Sequence, residues 1–205
     1  MKRILTAALL LTAIWAQATL TQTQSFSGGT IADGNPLGTV FSGTYSQTGF
    51  NSPVLGATVG LEITGGYNGD LYAYLVAPNG TLVMLMNQPG VGVNGFGASG
   101  AGMNITLSDS GSTGIQGVTS GSVLSGTYSA AGTLGTFNNS TANGTWELFF
   151  ADLSSGGGTS TLNGWTLTLT VVPEPITWAL GIFLAMLLAL AGLRRAWCHD
   201  QNCSH

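Results

Sequence analysis

Leu162-Asn163-Gly164-Trp165-Thr166-Leu167-Thr168-Leu169-Thr170-Val171 alternates without a break from Trp165 onward. Trp165, Leu167, Leu169 and Val171 fall on one side, and Thr166, Thr168 and Thr170 on the other. A period of two is the signature of a strand with one buried and one solvated face. The pattern recurs in Val59-Leu61-Ile63, in Leu71-Ala73-Leu75 opposite Tyr72-Tyr74-Val76, and in Trp146-Leu148-Phe150, while Thr81 to Met86 and Ile105 to Leu107 are shorter apolar runs. No stretch between Thr19 and Pro173 carries a helical period. Turn-forming clusters separate the runs: Asp33-Gly34-Asn35-Pro36, Gly65-Gly66-Tyr67-Asn68-Gly69, Pro78-Asn79-Gly80 and Ser154-Ser155-Gly156-Gly157-Gly158. Short strands punctuated this way predict an all-β, two-sheet sandwich with Trp146, Phe150 and Trp165 inside. The glycine-laden stretch from Gln88 to Gly102 reads as one long mobile loop.

Charge narrows the chemistry. The four basic residues are Lys2, Arg3, Arg194 and Arg195, and both histidines lie after residue 195, so residues 19–172 contain no Lys, Arg, His or Cys. Their ionisable groups are tyrosines and six acids: Asp33, Glu62, Asp70, Asp109, Glu147 and Asp152. Ser-His-Asp and Cys-His hydrolysis need a general base that this segment lacks, so the domain reads as non-enzymatic. Nucleic acid is excluded as a partner on the same ground, since phosphate binding relies on Lys and Arg. Cations suit such a field.

The two ends read as sorting signals. Lys2-Arg3, the short apolar stretch Ile4 to Trp15 and the small-residue site Ala16-Gln17-Ala18 have the anatomy of a secretory signal peptide over residues 1–18, with cleavage after Ala18. Val172-Pro173-Glu174-Pro175 precedes an uncharged run, Ile176 to Leu193, followed by Arg194-Arg195. As a helix the run would extend about 27 Å, enough to cross the roughly 30 Å hydrocarbon core. Arginines directly after it place residues 196–205 in the cytoplasm and the domain outside. Cys198, His199, Cys203 and His205 in this tail match no usual zinc spacing, and the tail reads as disordered. Pro173-Glu174-Pro175, spanning helix and basic pair together resemble the PEP-CTERM sorting signal of exported bacterial proteins, over residues 173–195. That resemblance implies an exosortase-like processing partner, transient membrane anchoring and a final place at the cell surface or in the extracellular matrix. The Cys/His tail departs from the pattern, which usually ends soon after its basic residues.

Three stretches of the domain resemble the P domain, or Homo B domain, that accompanies subtilisin-type proprotein convertases and many secreted bacterial proteases. They are Ile31 to Gly38; Asn68 to Leu71 with Leu75 to Thr81; and Asn143 to Leu148 with Ala151-Asp152, Gly158 and Leu162 to Leu169. The resemblance implies a jelly-roll sandwich over residues 19–172 with a stabilising or binding role. It does not carry proteolysis, because only Thr19 to Thr30 are expected between the signal peptide and the first matching stretch. The resemblance further implies calcium held by loop carboxylates, at Asp70, Asp109 and Asp152. Short Asp side chains among Gly and Asn suit that ion, and they equally suit acceptance of backbone hydrogen bonds within their own turns. Tyr72 and Tyr74, opposite Leu71 and Leu75, are candidate stacking surfaces for sugar rings. The functional expectation is an exported adhesion or structural domain in extracellular polysaccharide. Its rivals are a carbohydrate-binding module, a detached accessory domain of a secreted subtilisin-type protease, and a carboxylate-based hydrolase.

Overall fold

The computed structural model describes residues 19–47, 53–119, 121–172 and 181–189. Its strands are β1 (Leu20–Ile31), β2 (Thr39–Tyr45), β3 (Val54–Gly65), β4 (Leu71–Val76), β5 (Leu82–Asn87), β6 (Met103–Leu107), β7 (Leu124–Tyr128), β8 (Gly144–Asp152) and β9 (Ser160–Val171). They form two sheets, β1-β9-β3-β6-β7 and β2-β8-β4-β5. Every pairing is antiparallel except β6 with β7.

Alternation decides which face is buried. On β9 the side chains of Trp165, Leu167, Leu169 and Val171 enter the core. The threonines between them face out, where Thr168 and Thr170 share hydrogen bonds with Thr23 (2.6 Å) and Thr21 (2.9 Å) of β1. From the second sheet Leu71, Ala73, Leu75, Trp146, Leu148 and Phe150 meet them, all fully buried. Trp146 donates its indole N–H to the carbonyl of Ala142 at 3.0 Å and stands edge-on to Phe137, with ring centres 5.1 Å apart. Its polar atom therefore enters the core satisfied.

β1 carries little apolar alternation at its start. β1 begins Leu-Thr-Gln-Thr-Gln, and its positions paired with Leu169 and Leu167 are Gln22 and Gln24. These amide positions close the seam to β2: Tyr45 donates its hydroxyl to the Gln22 carbonyl at 2.8 Å, and Ser46 N–H donates to Gln24 Oε1 at 3.1 Å. Gly43 permits the contact, because a Cβ there would lie 2.4 Å from the ring of Phe26, which packs on Trp165. Edge strand β5 is covered by N–H donation from Ala131 to Leu85 O and from Gly132 to Met84 O, which blunts it as a template for pairing.

The stretch from Gln88 to Gly102 differs from a free loop. It contains a helical turn, Val91–Asn94, and is pinned by Ala98 N–H to Pro89 O (2.7 Å) and by Gly69 N–H to Ala98 O (3.1 Å). Asn94 Oδ1 accepts from the amides of Phe96 and Gly97. Local Asn-to-backbone bonds are what the glycine count concealed.

Residues 181–189 are helical, with Ile182, Phe183, Leu184, Met186, Leu187 and Leu188 exposed. Among the described residues no helix is long and apolar enough to cross a membrane. The rest of the run from Ile176 to Leu193 lies outside the described residues. So do the leader with Ala16 and Ala18, and Pro173, Glu174, Pro175, Arg194 and Arg195.

Candidate cation site

β4 and β8 pair so that Leu71 stands opposite Asp152. Asp70, one residue before β4 in the single turn Asn68–Asp70, is thereby brought beside Asp152 at the end of β8. The chain leaving β1 adds Asp33 from the Asp-Gly-Asn-Pro turn, and the Ser154 to Gly158 loop wraps the three acids. Asp152 Oδ1 accepts from the amides of Gly34 (3.3 Å) and Ser154 (3.2 Å), and Asp33 Oδ2 accepts from that of Gly156 (3.1 Å). The carbonyl of Asp70 takes the Leu153 N–H at 2.9 Å. Acid side chains and one acid carbonyl thus fasten two loops to the sheet ends.

The electrostatics at this pole are unbalanced. Burial raises the pKa of Asp70, the nearby Asp152 and Asp33 charges raise it further, and a Ser154 hydrogen bond opposes them. Asp152 is raised by burial and by Asp33, against the hydrogen bonds from Gly34 and Ser154. Asp152 is fully buried, and its Oδ2 has no hydrogen-bond partner. A buried carboxylate oxygen left unpaired is costly, and a cation beside it would relieve both that cost and the repulsion from Asp70. Calcium accepts carboxylate, carbonyl and water oxygens together, so this donor set fits it. Carboxylates alone do not suffice: among the described residues no group of three or more His, Cys, Asp and Glu side chains is placed to hold a metal ion. Backbone oxygens and water would have to complete the shell around Asp70 and Asp152.

The third expected ligand stands elsewhere. Asp109 Oδ1 and Oδ2 accept from the amides of Leu134 (2.8 Å) and Gly135 (2.7 Å), opening the turn Leu134–Phe137. That is the turn-capping use of an aspartate. Asp33 lies near the Asp70–Asp152 pair as a charged neighbour that accepts from Gly156, not as a third ligand; its signal was the Asp-Gly-Asn-Pro turn, which topology returns to the end of β8. Tyr72 and Tyr74 lie half-buried on the outer face of the four-stranded sheet. Tyr74 is stacked on Phe149, with centres 4.6 Å apart and planes 10° from parallel, and Tyr72 meets both rings edge-on. The tyrosines therefore form a packed aromatic cluster with Phe149.

The sequence of this two-sheet sandwich places it in a family. The proprotein convertase P-domain model matches residues 55–169, more than half of the chain, and the chain belongs to that family. Asp70, Asp109 and Asp152 lie within the matched stretch, while β1, Asp33 and β2 precede it. Among solved structures the chain is similar to the serine protease of Aeromonas sobria, at 15% identity and TM-score 0.48, over 75% of this chain and 27% of that one. The complex of that protease with its chaperone gives 15% identity and TM-score 0.48, over 77% and 28%. A structure of infectious bursal disease virus Gx strain gives 10% identity and TM-score 0.25, over 76% and 37%. The chain thus spans little more than a quarter of the protease chains. No curated protein matches it.

Proposed function

We propose that this protein is an exported, non-enzymatic component of the cell surface or extracellular matrix, built on one calcium-braced P domain of jelly-roll type. A leader over residues 1–18 would deliver it, and a PEP-CTERM-like signal over residues 173–195 would hold it at the membrane for an exosortase-like enzyme. The observation that carries the reading is the composition of its acid pole. Asp33, Asp70 and Asp152 bind loop backbone, and residues 19–172 offer no His, Cys, Lys or Arg to serve them as base or nucleophile. Such a site braces a scaffold. Bound calcium would supply charge neutralisation there, with Asp70 and Asp152 as its carboxylate ligands.

Expression of the full chain with its own ends, followed by fractionation and mass spectrometry, tests the reading. The expected product is extracellular, begins near Thr19 and lacks the segment after Pro175. A cytosolic product, or a surface product retaining Arg194-Arg195, would refute it.

Family membership favours one other reading, an accessory domain acting beside a separate subtilisin-type protease. Co-purification of a serine protease whose half-life shortens when this chain is deleted would select it.

A further inference from the structure

The outer face of the five-stranded sheet is a lattice of hydroxyls. One row crosses all five strands in register: Ser25, Thr166, Gly60, Thr106 and Thr127. The next row along the strands reads Thr23, Thr168 and Thr58, and the one beyond it Thr21, Thr170 and Gly56. Neighbours within a row are about 4.8 Å apart, and successive rows are about 6.8 Å apart.

Gly56 and Gly60 both lie on the central strand β3, so the lattice sinks along its middle. A Cβ on Gly60 would come within 2.3 Å of Thr166 Oγ1, whereas one on Gly56 would meet nothing within 4 Å. Two shallow grooves result. One, of about 400 Å³, runs past Thr58, Thr168 and Thr170 to Asp109; the other, of about 300 Å³, runs past Ser25, Thr166 and Thr106 to Asn104 and Glu62. Within the second groove, between the Thr106 and Asn104 positions, the row Phe26, Trp165, Leu61 and Ile105 turns its side chains inward, so backbone forms the floor.

We propose that this face binds an extended, neutral polysaccharide strand. Rows of hydroxyl and amide groups at regular spacing offer both donors and acceptors, which a polyhydroxyl chain can match repeatedly. The two carboxylates stand at the groove ends, and residues 19–172 have no cation, so a polyanion is repelled. A second protein, including another copy of this chain, is poorly served. Stable protein interfaces need an apolar centre with aromatic or Arg anchors, and the exposed large apolar residue of these grooves is Leu55. The inference rests on the proposed surface role for where the polymer is met, but its site is separate from Tyr72 and Tyr74 on the other sheet.

The test is affinity electrophoresis of the full-length chain in mild detergent, through gels containing hydroxyethyl cellulose, dextran or galactomannan, with alginate as the anionic comparison. Retardation by at least one neutral polymer and none by alginate is expected. A Ser25→Ala/Asn104→Ala/Thr106→Ala variant, altered only at exposed positions, should bind at least tenfold more weakly, while Tyr72→Ala binds as the parent does. Gly60→Val, which fills the trough, should abolish retardation; should it fail to fold, the triple variant still decides. Failure with all three neutral polymers, equal binding by the triple variant, loss through Tyr72→Ala alone, or self-association that the triple variant dissolves would overturn the proposal. Because binding is read in vitro, a chain that binds but is not exported would sink the surface role and leave this site standing.

Discussion

Asp152 lies directly across the β4–β8 ladder from Leu71, which sets its carboxylate beside that of Asp70 with no basic group between them. Asp152→Asn keeps an oxygen for the amides of Gly34 and Ser154 and removes the buried charge. In chelator the variant should melt above the parent, and calcium should no longer raise its Tm. The parent should gain about 2.7 kcal/mol at a hundredfold excess of calcium over its Kd. Calorimetry with calcium and with chelator measures both; a variant less stable than the parent in chelator, with its calcium response intact, would contradict the site.

The same pair fixes a pH dependence. Asp70 and Asp152 both have folded pKa values raised chiefly by burial, so the fold holds their protons more tightly than the unfolded chain does. Their stabilisation is fully present below the ordinary carboxylate pKa of about 4 and is lost as pH rises through the raised values. In chelator, Tm should therefore fall as pH is raised from about 4 toward neutrality, and calcium should flatten the slope. A parent Tm that rises over this interval in chelator would refute the assignment.

Asp109 should behave differently. Asp109→Ala orphans the amides of Leu134 and Gly135 and should cost about 1–2 kcal/mol, the scale of a lost capping residue. Its calcium-induced Tm shift should equal the parent's, and an abolished shift would return Asp109 to the ligand set.

Trp146→Ala removes a fully buried indole, its bond to Ala142 and its contact with Phe137. The expected loss is about 3–5 kcal/mol, read from denaturant midpoints, with Trp146→Phe losing markedly less. Equal losses would mean that packing does not dominate at this position.

Tyr45 offers an alkaline check. Burial pushes its hydroxyl up to about 12, against a backbone hydrogen bond at Leu169. Its contribution is fully present below about pH 10 and lost as pH rises through 12. Tyrosinate absorbance should show a late-titrating component that disappears in Tyr45→Phe.

The sequence made the sandwich legible wherever one face was apolar and the other polar, as in Leu162 to Val171 and Leu71 to Val76. It hid β1, whose positions opposite Leu169 and Leu167 are Gln22 and Gln24, and β7, a short strand that pairs in parallel with β6 and carries Gly126 at φ 109°. Of the candidate site, Asp70 and Asp152 were visible as loop acids. Asp33 was visible only as part of a turn, because its proximity to Asp152, 119 positions further along the chain, arises from strand pairing that local pattern does not encode. Asp109 resembled them in composition and differed in that both its oxygens accept backbone amides while Asp152 Oδ2 is left without a partner, which is a property of three-dimensional neighbours.

Leu20 pairs with Val171 at one pole of the sandwich, and Ile31 pairs with Ser160 at the other. Tethered through Val171 and gripped by its far pole, the domain would feel tension along the length of β9, which is clamped on both flanks by β1 and β3. Such a load slides two ladders in shear and must break many hydrogen bonds at once, instead of unzipping them singly from an edge. Under such a load the topology that hides the core would also resist extension.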